Sequence, residues 1–185
     1  MAIVQHGLTL EEFLKLPEDE PALEFEDGLV IQKVSPKGKH SRLQVRLAER
    51  VNRVGEPGKL ASAFTELRAS FGGHSYVPDV VVYRWDRIPR TATGEVADDF
   101  LEPPDIAIEI VSPGQSVNAL VRRCLWYVDN GVRIALLIDP GDASVVVFRP
   151  NSRPSVLREA DRIDLSEVLP GFQLRVNELF GTLKE

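Results

Sequence analysis

Three acidic residues stand in or beside apolar runs, and oxygen ligands of that kind suit metal-assisted chemistry. Asp79 follows Pro78 at the head of "VVVY", Glu109 lies inside "IAIEIV", and Glu24 lies in "LEFE". If these strands are neighbours, the carboxylates converge, and only a bound cation or protonation relieves their repulsion. Hard oxygen ligands suit Mg²⁺ or Mn²⁺. Such a cation polarises a phosphoryl group and activates water for attack on phosphorus. Each residue also has a plain structural reading. Pro-Asp is a common turn dipeptide. Glu109, alternating with Ile108 and Ile110, would face water on a half-exposed sheet, and Glu24 shares a strand face with Glu26, which points it to solvent.

Other chemistries lack support. The chain has no glycine-rich phosphate loop and no cysteine–histidine zinc spacing, and His6, His40 and His74 are scattered. Ser41 beside His40 is no sign of a triad, whose members meet through the fold and not through adjacency.

The elements that must carry these acids can be read from periodicity and turn chemistry. Thr9 with Glu12 forms a capping box for a short helix, "LEEFLKL", closed by Pro17. "ALEFEDGLVIQKV" reads as a hairpin turning at Asp27-Gly28, a pair that readily takes positive φ. The stripe Leu43, Leu47, Val51 and Val54 predicts a long helix ended by Gly55, Pro57 and Gly58. Strands are predicted near 60–71, 76–83 and 106–111, with a polar, turn-rich surface loop before the third. A helix over about 117–130 ends at Gly131, and "VRIALLID" reads as a buried strand with an antiparallel partner in "SVVVFRP". A short helix is predicted near 176–180. The fold class is α+β: a mixed central sheet flanked by helices, in one domain over residues 1–185.

Composition bounds the partners. The 185 residues are 43% hydrophobic and 27% charged, as in soluble globular proteins. No apolar run reaches the roughly 20 residues that span a bilayer. No basic and apolar leader pattern opens the chain, and the single Cys124 excludes an internal disulfide, so the cytoplasm is expected. The net charge of −6 argues against a wholly basic surface. Lys33 to Arg53 is nevertheless a basic segment. Within it Arg42, Arg46, Arg50 and Arg53 form a stripe, read either as a solvated helix face or as a phosphate contact.

The Pro-Asp strand start and the acid-centred strand about thirty residues later resemble the bipartite PD…(D/E)xK pattern of restriction-endonuclease-like nucleases. More closely, "LTLEEFLKLPED", "LEFEDGLV", "HSRLQVRLAERV", "YVPDVVVYR", "PPDIAIEIVSP", "YVDNGVRIALLIDP", "VVVFRP" and "VLPGFQLRVNELF" together resemble the Uma2 family, also called DUF820. The resemblance covers most of the chain. It implies a restriction-endonuclease-like core and a divalent metal, Mg²⁺ or Mn²⁺, on Asp79, Glu109 and the carbonyl of Ile110, with Glu24 helping to hold water. It further implies DNA as substrate and a homodimer that addresses two strands.

The lysine of the pattern is missing. Position 111 is valine. The resemblance moves the lysine to the next helix, four residues before the tyrosine of the "Y…G" segment, a place assigned here to Cys124. A neutral thiol cannot stabilise charge developing on phosphate. Arg123 is adjacent, but neighbouring helical residues point about 100° apart, and Arg122 points further away. Cys124 also reads as a packing residue on one face with Leu120 and Tyr127. Two functions follow: a metal-dependent endonuclease with an altered lysine position, or a catalytically inactive nuclease fold that serves as a nucleic-acid-binding or assembly module.

Overall fold

The computed structural model describes residues 2–184. The chain opens with a strand absent from the sequence expectation, β1 (Ala2–His6). The helix α1 (Leu10–Phe13) follows, shorter than predicted. Its capping box is present: the Glu12 N–H donates to the Thr9 hydroxyl, and the Thr9 N–H donates to the Glu12 carboxylate at 2.8 Å. Next, β2 (Leu23–Glu26) and β3 (Leu29–Gln32) form the predicted antiparallel hairpin. Asp27 and Gly28 supply its turn with φ of 50° and 79°, the paired positive values a tight hairpin requires.

The long helix α2 (Gly38–Gly55) leads into β4 (Ala61–Thr65), β5 (Ala69–Phe71), β6 (His74–Tyr76) and β7 (Val80–Arg84). Here the sequence predicts two strands and the chain makes four. β4 and β7 pair in one sheet, whereas β5 and β6 pair in another. The chain therefore changes sheet before β5 and again at Val77-Pro78-Asp79. Proline, which has no N–H for a ladder, suits such a break. Asp79 stands where the chain crosses.

The remaining elements are β8 (Ile106–Ile110), α3 (Val117–Asp129), β9 (Ile134–Asp139), β10 (Ser144–Phe148), β11 (Ser155–Arg158) and α4 (Val176–Gly181). Strands β8 and β9 are parallel and joined by α3, the crossover that parallel pairing needs. The result is a five-stranded sheet in the order β1-β3-β2-β6-β5 and a mixed six-stranded sheet in the order β11-β10-β9-β8-β7-β4. The mixed sheet with flanking helices is the predicted class, and the five-stranded sheet is the addition.

Strand alternation decides what each face meets. Ile106, Ile108 and Ile110 pack with Leu43, Leu47 and Val51 of α2. Ala107 faces the other way, with Leu120, Cys124 and Tyr127 of α3 and with Phe71 and Tyr76 of the five-stranded sheet. Each buried isoleucine, leucine, valine or phenylalanine here contributes about 1.5–3 kcal/mol. Glu109 shares the Ala107 face by period two. It therefore points toward α3, into the layer between the sheets and away from water. The segment before β8, expected as a surface loop, is anchored to the sheet: Phe100 and Ile88 are buried against Tyr83, and Phe100 lies edge-on to Phe64 at 5.3 Å.

Candidate active site

Glu24 on β2, Glu109 on β8 and Asp79, just before β7, meet in one buried cluster. The Asp79 and Glu109 segments are tied together by the Ile110 N–H, which donates to Asp79 Oδ2 at 2.7 Å. Ile110, whose carbonyl is the expected metal ligand, contributes its N–H to this junction. Glu24 is fully buried, so the expectation that it faces solvent is corrected. Its strand lies over α3, and the face it shares with Glu26 is an inner face. Arg123 binds both oxygens of Glu24, at 3.0 and 2.7 Å, and the Val77 N–H adds a third bond at 3.0 Å.

A carboxylate in a dry layer needs cations or donors, and each acid has its own set. Asp79 pairs with the Lys33 ammonium at 2.8 Å and with His40 Nε2 at 2.9 Å. Gln44, one turn beyond His40 on α2, donates to the Asp79 carbonyl at 2.8 Å and to Glu66 at 2.6 Å. Glu66 also takes Lys33 at 2.5 Å. Glu109 receives the Tyr127 hydroxyl at 2.6 Å and lies 3.6 Å from Arg123. Among the described residues no donor reaches the second oxygen of Glu109.

The electrostatics follow from these pairings. Burial, only partly offset by Arg123 and reinforced by Asp79 and Glu24, pushes Glu109 up to about 7. Burial works the same way on Asp79, but the hydrogen bond from His40 and the charge of Lys33 outweigh it and hold the carboxyl below its usual range. For Lys33, burial disfavours the ammonium, yet Asp79, Glu109 and Glu66 raise it above the ordinary lysine value. Burial and the Glu109 charge keep Tyr127 a neutral donor.

The altered lysine position is also corrected. The residue four before Tyr127 is Arg123, and Cys124 is three before it. Arg123 fills the place structurally as well. Its guanidinium lies over the Tyr76 ring at 4.3 Å and reaches both Glu24 and Glu109. The 100° offset did not keep it out, because α3 is covered on two sides, by the six-stranded sheet and by β2 and β6. Cys124 is buried in the apolar cluster with Leu120 and Leu137, and burial and Glu109 push its thiol up. It is a neutral packing residue.

The arginine stripe is elsewhere. At about 100° per residue, Arg42, Arg46, Arg50 and Arg53 occupy the side of α2 opposite His40 and Gln44. Arg42 donates to the Thr182 carbonyl at 3.1 Å, and Arg46 and Arg53 pair with Glu49 at 2.8 and 2.5 Å. Lys33, His40, Gln44 and Glu66 escaped the sequence reading as site residues. The hairpin register held one usable signal. Glu24 pairs with Ile31, so Lys33, two residues on, falls on the face of Glu24.

A sequence profile for Uma2, described as "Putative restriction endonuclease", matches residues 10–177. The chain belongs to the Uma2 family. The Uma2 fold is also seen in a crystal structure described as "a putative nuclease belonging to DUF820" from Anabaena variabilis ATCC 29413. That chain is 42% identical, the match covers 95% of this chain and 99% of that one, and the TM-score is 0.92. A DrdV–DNA complex studied by cryo-electron microscopy is 13% identical over 79% of this chain and 13% of that one. Its TM-score of 0.33 is too low to argue from. No curated protein matches.

The donors of this Uma2 chain fit a hard divalent cation in type. Around Lys33 and Arg123, the two permanent cations of the cluster, stand the carboxylates of Glu24, Asp79, Glu109 and Glu66. Negative charge is therefore in excess unless a proton or a further cation enters. No three acidic, histidine or cysteine side chains among the described residues form a metal cage by themselves. Mg²⁺ seldom needs one, since one or two carboxylates with water and substrate phosphate usually suffice.

Proposed function

We propose that this protein is a metal-dependent endonuclease that hydrolyses phosphodiester bonds in DNA. The observation that carries the reading is the junction of Asp79 and Glu109 through the Ile110 N–H at 2.7 Å. It sets an acid at the head of β7 beside one on β8, in a negatively charged cluster. Asp79, Glu109 and the Ile110 carbonyl would hold Mg²⁺ or Mn²⁺, which supplies Lewis acidity toward phosphate and water.

The protein's own groups do the rest. Lys33 and His40 keep Asp79 ionised and oriented. Tyr127 fixes one oxygen of Glu109 and leaves the other available. Arg123 holds Glu24 in the cluster and shares its charge with Glu109. In the reaction a water oxygen bonds to phosphorus and the bond to one ester oxygen breaks. The water proton passes through a site carboxylate to solvent, and the leaving oxygen takes a proton from solvent. Arg42, Arg46, Arg50 and Arg53, on the outer side of α2, would contact more distant phosphates. A cytoplasmic homodimer that presents two sites to two strands belongs to the same reading and is checked by light scattering.

Supercoiled plasmid tests the reading. Wild-type protein with Mn²⁺ should produce nicked circles, EDTA should stop this, and Asp79→Asn should be slower by at least about 100-fold, the usual scale for loss of one electrostatic stabiliser. Absence of nicking, or equal nicking by the variant, defeats the proposal. One observation favours the second reading, a non-catalytic DNA-binding module: both oxygens of Asp79 and of Glu24 already have protein partners. Plasmid binding without nicking in Mn²⁺ would be its signature.

A further inference from the structure

The cluster contains two permanent cations, and they differ in access. Arg123 is closed in: Glu24 occupies its fork, the Tyr76 ring covers it, and Glu109 lies at its edge. Lys33 is the cation at the opening. A cleft of about 780 Å³ is bordered by Lys33 and Glu66 together with Pro21, Ala22, Val34 and Val77.

The Lys33 backbone is fixed by its N–H, which donates to the Ala22 carbonyl at 2.9 Å and closes the open end of the β2–β3 hairpin. The ammonium stands beyond that point with Asp79 at 2.8 Å and Glu66 at 2.5 Å. An ammonium has three donors and no acceptor. Two are spent on these carboxylates, and one is left for a ligand that enters by the cleft. The cleft also carries Arg68, which is paired with Glu18 at 2.9 Å, and its other charged walls are the acids Asp19, Glu20 and Glu66. A phosphodiester arriving there meets Lys33 as the cation beside Asp79.

Resting on the nuclease reading, we propose that Lys33 is a catalytic residue: its ammonium binds a non-bridging oxygen of the scissile phosphate and offsets the negative charge that grows there. The positive group thus comes from the end of β3, and Arg123 on α3 is the positioning residue that holds Glu24. A lysine in this place is a point charge able to swing between Asp79 and phosphate, whereas a guanidinium locked on two oxygens of Glu24 is not.

The test uses the full chain and three substitutions at this position. Lys33→Met should lower plasmid nicking in Mn²⁺ by about 100-fold, while Lys33→Arg, which keeps the charge, should retain more activity and the wild-type melting temperature. Lys33→Cys, made with Cys124→Ala, should be as slow as Lys33→Met and should recover at least about tenfold after alkylation with 2-bromoethylamine, which rebuilds an ammonium of lysine length. Iodoacetamide should give no recovery. A second readout needs neither metal nor turnover: the slope of log K against log salt for duplex binding in EDTA should fall by about 0.9 in Lys33→Met, one lost phosphate contact. Wild-type protein that does not nick defeats the nuclease reading and this proposal with it. Wild-type nicking with an equally active Lys33→Met overturns this proposal alone. So does an inactive Lys33→Met with an unchanged salt slope, or a Lys33→Cys that aminoethylation does not revive, because the lysine would then only support Asp79.

Discussion

Strand β8 carries a buried carboxylate near each end, and the two are treated differently. Asp105, just before the strand, meets Arg87 at 2.8 Å and Arg84 and Arg133 at 3.3 Å, and accepts the Arg84 N–H at 2.8 Å. These arginines are half-exposed, so their cost of desolvation is small, and the positive charge around Asp105 is more than sufficient. Glu109, at the other end, shares one buried arginine with Glu24, feels the Lys33 charge more weakly, and is hydrogen-bonded by a neutral phenol. It is driven up to about 7 by burial first, and by the neighbouring acids. A carboxylate saturated with cations ties a loop to a sheet. One left short of positive charge keeps affinity for a proton or a metal. Burial alone does not separate the two roles; the balance of partners does.

The contrast can be broken at several points. The largest effect is expected at Glu109: Glu109→Gln should lower nicking by at least about 100-fold while leaving the melting temperature equal or higher, since a partly neutralised buried charge is removed. Plasmid assays and thermal melts on one preparation check both halves. Next is Arg123→Met, which strands Glu24 as an unpaired buried charge and should cost about 3–5 kcal/mol of stability, read by urea unfolding. Arg123→Lys should recover part of that loss.

The pH dependence has a defined sign. Glu109 binds its proton more tightly in the folded state, about 7 against an ordinary 4.5. The folded state therefore holds more protons than the unfolded one between these values, and metal-free stability should fall as pH rises through that window. Asp79 works oppositely and lower: its depressed carboxyl adds stability that is lost as pH falls below the ordinary aspartate range. Melting in EDTA from pH 4.5 to 7 should slope downward in wild type and flatten in Glu109→Gln. Smallest of all, Cys124→Ala should cost about 1 kcal/mol of packing and leave nicking within about twofold, because the neutral thiol donates no hydrogen bond to the acids and serves only to pack.

Much of the scaffold was legible. The capping box, the Asp27-Gly28 hairpin, α2 and the β8–α3–β9 unit each rest on local signals, and each formed. The split of two expected strands into four was not legible, because the change of sheet at Val77-Pro78-Asp79 depends on which strand is available to pair, a nonlocal matter. The acids were found by their types and apolar settings, but their partners were not. Lys33 looked like one more member of a basic segment, and Glu24 like a solvent-facing residue, until β2 was laid over α3. Arg123 was set aside on helical angle, an argument that holds only when a helix is buried on one side.

The most direct test compares the two ends of β8 in one assay. Plasmid nicking in Mn²⁺ should fall by at least about 100-fold in Glu109→Gln, while folded Asp105→Asn, less stable than wild type, should nick within about threefold of it. Equal losses in both variants, or full activity in Glu109→Gln, would contradict the assignment of the working site to the Glu109 end.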